Sequence, residues 1–147
     1  MMRMGIAAIA LASAIALATN ATAATKAAKK TLYERVGGAA ALTAVVDDFV
    51  ANVAADQKIN HFFAKTDIPT FKKNLTDQLC AATGGGCTYA GKDMKTAHAG
   101  LGISNADWDA LVGDLGKSLD KFKVKKADQK ALVALLAPMK GDIVEKQ

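Results

Sequence analysis

The sequence predicts an all-α domain. Apolar residues recur at i, i+3, i+4 and i+7 along successive stretches, no stretch alternates with period two, and no hairpin dipeptide occurs. The 147 residues, 51% of them apolar and 22% charged, are enough for one packed core. That composition excludes a disordered chain, and two cysteines exclude both a disulfide-dense scaffold and a four-cysteine zinc site.

Residues 1–23 read as a signal peptide rather than part of the fold. Arg3 precedes the uncharged run Gly5–Ala18, which at 14 residues falls short of the roughly 20 that a membrane span requires. Ala21-Thr22-Ala23 has the small-x-small form that a signal peptidase cuts after, and an uncleaved anchor is the alternative. Cleavage after Ala23 leaves a loose basic lead-in over residues 24–30 and one domain over 31–147. No later stretch reads as comparably apolar, so the expectation is a periplasmic or secreted protein with no membrane association once cleaved.

Thr31-Leu32-Tyr33-Glu34 has the form of a capping box and opens a short helix that ends at Gly37-Gly38. Leu42, Val45, Val46, Phe49, Val50 and Val53 make the apolar stripe of a long helix, with Asp47, Asp48 and Asn52 off it. Ile59 and His61-Phe62-Phe63 form an apolar corner. Asp67 with Pro69 starts another helix, on which Phe71, Leu75 and Leu79 repeat every four residues up to Thr83. Gly84–Gly86 ends it and makes a connector. A short segment places Met94, His98 and Leu101 on one face. Ser104-x-x-Asp107 opens a helix whose face is Trp108, Leu111, Val112, Leu115, Leu119 and Phe122. The last helical pattern runs from Leu132 to Val144, and Pro138 inside it predicts a kink or break.

The net charge of +5 comes from scattered lysines, Arg35 is the only arginine after cleavage, and aromatics are 5% of the chain. This predicts a solvated basic surface and no nucleic-acid partner. There is no phosphate-binding glycine loop, no dinucleotide fingerprint and no Cys-x-x-Cys-His for covalent haem attachment. The two histidines, His61 and His98, stand 37 positions apart, which gives no zinc ligand spacing. His98 has two readings. It is either a satisfied core histidine or a single axial ligand to haem iron, its other ring N–H bonded to a carbonyl one turn back. In the second reading Phe49, Val50, Phe63, Phe71 and Leu75 wall an apolar slot for a flat porphyrin; in the first they are core. Cys80 and Cys87 bracket the glycine connector. In an exported protein a structural disulfide between them is the leading reading, with free thiols and a redox-active pair as alternatives.

Several segments then occur in a telling order: Leu32-Tyr33-Glu34-Arg35-Val36-Gly37-Gly38, His61-Phe62-Phe63, Gly84-Gly85, and Tyr89-x-Gly91-Lys92-x-Met94-x-x-Ala97-His98-x-Gly100-Leu101. Each is weak alone. Together, over about residues 31–145, they resemble the group 1 truncated haemoglobins. The resemblance implies a shortened globin, with two helices packed over two around haem b (iron protoporphyrin IX). It implies that His98 is the proximal ligand, that Phe63 packs on the porphyrin, and that Tyr89 and Met94 shape the loop and the proximal side. Lys92 stands where the family often has an arginine that pairs with a haem propionate, although a plain surface lysine fits as well.

The chain departs from the family on the distal side, formed by Phe49, Val50, Phe71, Asn74 and Leu75. Members commonly have a tyrosine where Val50 stands and glutamine at one or both positions matching Phe71 and Leu75. Asn74 occupies a position where some relatives carry an iron-coordinating His or Lys. Asparagine is a poor iron ligand, so an open sixth site is expected, with Lys72 or Lys73 the candidates to close it. Dioxygen at ferrous haem takes on partial negative charge, so a wall without donors predicts weak oxygen retention. The expected function is reversible binding of a diatomic gas (oxygen, nitric oxide or carbon monoxide) rather than catalysis. The alternatives are a nitric oxide dioxygenase, a peroxidase-like enzyme, or an electron-transfer protein. The dioxygenase and electron-transfer readings call for a reductant that the sequence does not identify. A haem-free helical domain is the remaining reading.

Overall fold

The computed structural model describes residues 28–147; the expected signal peptide over residues 1–23 and most of the lead-in lie outside the described residues. Thr31 caps α1 (Leu32–Val36), and its hydroxyl and the Glu34 carboxylate satisfy each other's backbone N–H groups. Gly37 ends α1 at φ 112°, a conformation that favours glycine, and the chain turns directly into α2 (Gly38–Ala55). All six residues of the expected α2 stripe are buried. The four residues Asn60–Phe63 form a single 3-10 turn.

Helix α3 (Ile68–Thr83) begins with Pro69 in its first turn and ends at Gly84, φ 90°. Helix α4 (Met94–His98) is one turn long. Helix α5 (Asn105–Lys121) opens on the second capping box, between Ser104 and Asp107. Helix α6 (Lys126–Leu136) stops before Pro138, which lies in a 3-10 turn over Ala137–Met139, and α7 (Lys140–Ile143) follows. Proline has no N–H to continue the ladder, so the expected break occurs there.

Among the described residues there is no strand, only an isolated parallel bridge between Ser104 and Lys146. The long helices form two pairs, α2 with α3 and α5 with α6, and α2 crosses onto α5 while α3 meets α6. The main core lies between the pairs and includes Leu42, Val46, Leu79, Leu119 and Leu132. A buried polar seam joins α2 to α5. The fully buried Ser118 donates to Asp48 Oδ2 at 2.8 Å and accepts from Asn52 Nδ2 at 2.9 Å. Arg35 Nε pairs with the buried Asp128 at 2.7 Å and ties α1 to α6.

Three local expectations need correction. Phe122 does not continue the α5 face. The helix ends at Lys121, Lys123 turns the chain at φ 57°, and Phe122 is 40% exposed. Leu101 is not on α4, because the helix stops at His98 and Gly100 turns at φ 77°. The stretch Gly38–Ala55 is long and apolar enough to cross a membrane by length and composition, and among the described residues it alone is. Here that apolarity serves the core, since its stripe packs against α3 and α5.

Glu34 and Asp107 are both held below the ordinary carboxylate range, chiefly by the backbone N–H groups of Thr31 and Ser104 that they accept from. With folded values below the unfolded ones, this stabilisation is complete above the unfolded range near pH 4 and is lost as pH falls through the folded values. The double variant Glu34→Gln, Asp107→Asn is therefore expected to lose less stability than the native chain on acidification from about pH 5 to pH 2, followed by circular dichroism in denaturant. Equal losses would contradict the assignment.

Candidate functional site

One face of α3 presents Phe71, Asn74, Leu75 and Gln78 at i, i+3, i+4 and i+7, and all four line a cavity of about 420 Å³. Phe49 reaches it from α2, and Phe62 and Phe63 from the 3-10 turn. The Phe63 and Phe71 rings meet at 5.3 Å with a 51° tilt. The facing wall comes from Met94 and His98 of α4, from Trp108 and Leu111 of α5, and from Met139 and Ile143 near the chain end. The volume lies within the roughly 300–1,000 Å³ of small-molecule and cofactor sites, which are likewise mostly apolar with a few placed polar groups.

His98 is the half-buried imidazole of that wall. Its Nδ1 lies 2.7 Å from the Met94 carbonyl, one turn back. A carbonyl only accepts, so Nδ1 carries a proton, and in the neutral ring the lone pair is on Nε2. Among the described residues Nε2 has no hydrogen-bond partner.

A one-turn helix cannot stand by itself, and the chain before α4 is tied down at several points. Asp93 caps it, accepting the Thr96 N–H at 2.9 Å, and its bonds to Thr96 hold its carboxyl below the usual range. The Tyr89 hydroxyl donates to the Lys92 carbonyl at 2.6 Å, and burial, helped by the Asp93 charge, pushes this phenol up. A Cβ on Gly91 would lie 2.4 Å from that hydroxyl, so the close approach requires glycine. Upstream, a disulfide joins Cys80 near the end of α3 to Cys87 in the connector. Closing so short a ring is worth about 2–3 kcal/mol in the chain-entropy account. Gly85 packs under it, where a Cβ would lie 2.5 Å from Cys80 Sγ.

The structure thus brings nine of the expected site residues to one cavity: Phe49, Phe63, Phe71, Asn74, Leu75, Tyr89, Lys92, Met94 and His98. Val50 is not among them. It sits about 100° round α2 from Phe49, and its short side chain ends in the main core. Lys72 and Lys73 do not line the cavity either. Lys72 pairs with Asp47 at 2.9 Å and Lys73 with Asp77 at 2.6 Å. Gln78 belongs to no motif in the sequence, yet its amide points Nε2 at the sulfurs of Met94 and Met139, 3.3 and 3.4 Å away. Its sequence signal is a polar residue one turn beyond Leu75, on the face that also carries Asn74.

No group of three or more His, Cys, Asp or Glu able to hold a metal ion occurs among the described residues. A metal that needs all its ligands from side chains has no site here. A flat apolar group that brings four in-plane ligands of its own needs only one imidazole and an apolar slot, and the cavity supplies both.

The family model for bacterial-like globins matches residues 31–145. The group 1 truncated haemoglobin of Tetrahymena pyriformis is 38% identical over 98 residues, covering 67% of this chain and 81% of that protein. The chain belongs to the group 1 truncated haemoglobins. The corresponding protein of Mycolicibacterium paratuberculosis is 31% identical over 118 residues, covering 80% of this chain and 87% of its own. The crystal structure of the Tetrahymena pyriformis truncated haemoglobin in its Fe(III) form superposes with a TM-score of 0.77 at 33% identity, over 80% of this chain and all (100%) of that one. A two-over-two haemoglobin from a Synechococcus species gives a TM-score of 0.74 at 28% identity, over 80% of this chain and 100% of that one. The paired helices are therefore the two-over-two globin fold, and haem b is the cofactor of this truncated haemoglobin.

Proposed function

We propose that this truncated haemoglobin binds a diatomic gas reversibly, with His98 as the proximal ligand and an open, largely apolar distal face. The observation that carries the reading is the cavity itself. A single imidazole with a free lone pair lies in a slot whose α2 and α3 residues include Phe49, Phe71 and Leu75. Haem b, when bound, supplies the iron at which the gas is held. His98 Nε2 would hold that iron, with the ring kept in orientation by the Nδ1–H donated to the Met94 carbonyl. Phe63 and Met94 would flank the porphyrin, and Tyr89 would brace the loop that carries Lys92, whose charge suits a propionate.

On the distal side Phe49, Phe71 and Leu75 exclude water and offer no donor. Of the two α3 amides that line the cavity, Gln78 is engaged with the Met94 and Met139 sulfurs, while the Asn74 side chain makes no hydrogen bond among the described residues. Neither Lys72 nor Lys73 lines the cavity, which favours an open sixth position over an internal ligand. Catalysis of O–O cleavage calls for a distal acid or base. Asp107 lines the cavity but is committed to capping α5 at Ser104, which favours gas binding over a peroxidase-like role.

The substitution Leu75→Gln tests the distal reading, since it puts a donor of similar size on the cavity face. One hydrogen bond of about 1–3 kcal/mol is expected to slow oxygen release about 5- to 150-fold in flow kinetics, with carbon monoxide release changed far less. An unchanged oxygen off-rate would overturn it.

The reading also places the protein in the periplasm or outside the cell. The signal-like segment over residues 1–23 and the disulfide, a bond that persists in oxidising compartments, support it. The intact mass of the natively expressed protein is expected to lack residues 1–23 and the two thiol hydrogens. A full-length chain with free thiols would contradict export.

A further inference from the structure

We propose that Glu145 is a positioning residue for the proximal ligand, holding the far end of α4 from the chain's C-terminal strap. The inference rests on the reading of His98 as the haem ligand.

Helix α4 is anchored before its start by the Asp93 cap and the Tyr89 brace, but its other end has no such device of its own. After His98 the chain turns through Gly100 and Gly102, at φ 77° and 66°. Within that turn the local bond is Leu101 N–H to the His98 carbonyl, long at 3.3 Å. Two further backbone groups of this stretch, the Gly100 N–H and the Ile103 carbonyl, take their partners from the strap.

The Glu145 carboxylate accepts the Gly100 N–H at 2.6 Å, across 45 residues of sequence. The Glu145 and Lys146 N–H groups both donate to the Ile103 carbonyl, at 2.8 and 3.1 Å, and the Asn105 N–H donates to the Lys146 carbonyl at 3.2 Å. This parallel pairing holds the strap on both sides of the Glu145 side chain, and α7, just before it, packs on α4. A Cβ on Gly102 would fall 3.1 Å from the Lys146 stem, so the strap also closes over the second glycine.

The Glu145 carboxylate therefore grips the backbone two residues beyond His98, through a charge-assisted bond of the stronger kind. On a one-turn helix, a small rotation at that end turns the imidazole. The Met94 carbonyl fixes the ring relative to α4; Glu145 fixes α4 relative to α5 and the cavity wall. The charged group nearest this grip along the strap is Lys146.

The test uses the full chain reconstituted with haem, as native protein, Glu145→Ala and Glu145→Gln. Three readouts are taken: the ferrous iron–histidine stretching band by resonance Raman, the rate of haem transfer to excess apomyoglobin, and the thermal midpoint by circular dichroism. Glu145→Ala is expected to shift or broaden the band and to speed haem loss about three- to tenfold, the worth of one hydrogen bond at a solvent-exposed position. The midpoint stays near the native value, and Glu145→Gln, which keeps an acceptor oxygen, recovers most of both effects. An unmoved band in Glu145→Ala overturns the proposal, whether haem loss is unchanged or faster only in proportion to a lowered midpoint. Failure of the underlying reading is distinguishable: the native protein then shows no iron–histidine band, or His98→Gly with added imidazole does not restore one.

Discussion

The hydrogen bond between His98 Nδ1 and the Met94 carbonyl is the interaction around which the site is arranged. It decides which ring nitrogen carries the proton, and so which is left to bind a metal. It joins residues four apart on a helix of five, so its value depends on everything that holds that helix. The supports are spread along the chain. The disulfide draws the connector onto α3, the Tyr89 hydroxyl and Asp93 set the start of α4, and the strap at residues 144–146 sets its end. A short helix with little stability of its own is thus held at both ends, by its loop and cap before it and by the strap after it.

The cavity follows from where the long helices spend their apolar faces. Helix α2 faces the main core with nearly its whole stripe and gives only Phe49 to the slot. Helix α3 divides its surface, with Leu79 and Cys80 in the core and Phe71, Asn74, Leu75 and Gln78 toward the cavity. That division yields a slot, because the face turned away from the core looks across the cavity to residues of α4 and α5. Electrostatics then work by restraint. Lys72 and Lys73 are held outside by carboxylates of α2 and α3, and Asp107 is used at a helix start, so the distal side keeps few groups that can donate, coordinate or titrate.

Much of the fold was legible because it is written locally. Both capping boxes, the stripe of α2, the stop at Gly84 and the break at Pro138 each depend on neighbours a few residues apart. His98 stood out as an imidazole one turn beyond Met94, and the ordered motifs gave it a role. What the sequence did not show depends on distance across the fold. Val50 and Phe49 are adjacent on one stripe, and only packing decides that Phe49 meets the cavity while Val50 stays in the core. Phe122 continues the periodicity of α5 one residue past the helix end, just before the backbone turns at Lys123. Gln78 is a polar residue whose partners, Met94 and Met139, lie 16 and 61 residues away. The grip of Glu145 on Gly100 spans 45 residues and has no periodic signature at all.

Among the described residues His98 is the histidine that lines the cavity, and in the proposed function its imidazole alone reaches the iron. The absorption spectrum of the ferrous haem-loaded protein, with and without carbon monoxide, tests it most directly. A five-coordinate ferrous spectrum that shifts sharply and fully on adding carbon monoxide is expected. A six-coordinate low-spin ferrous spectrum without added ligand would contradict it, since Lys72, Lys73 or Asn74 would then have to leave its observed place and occupy the distal side.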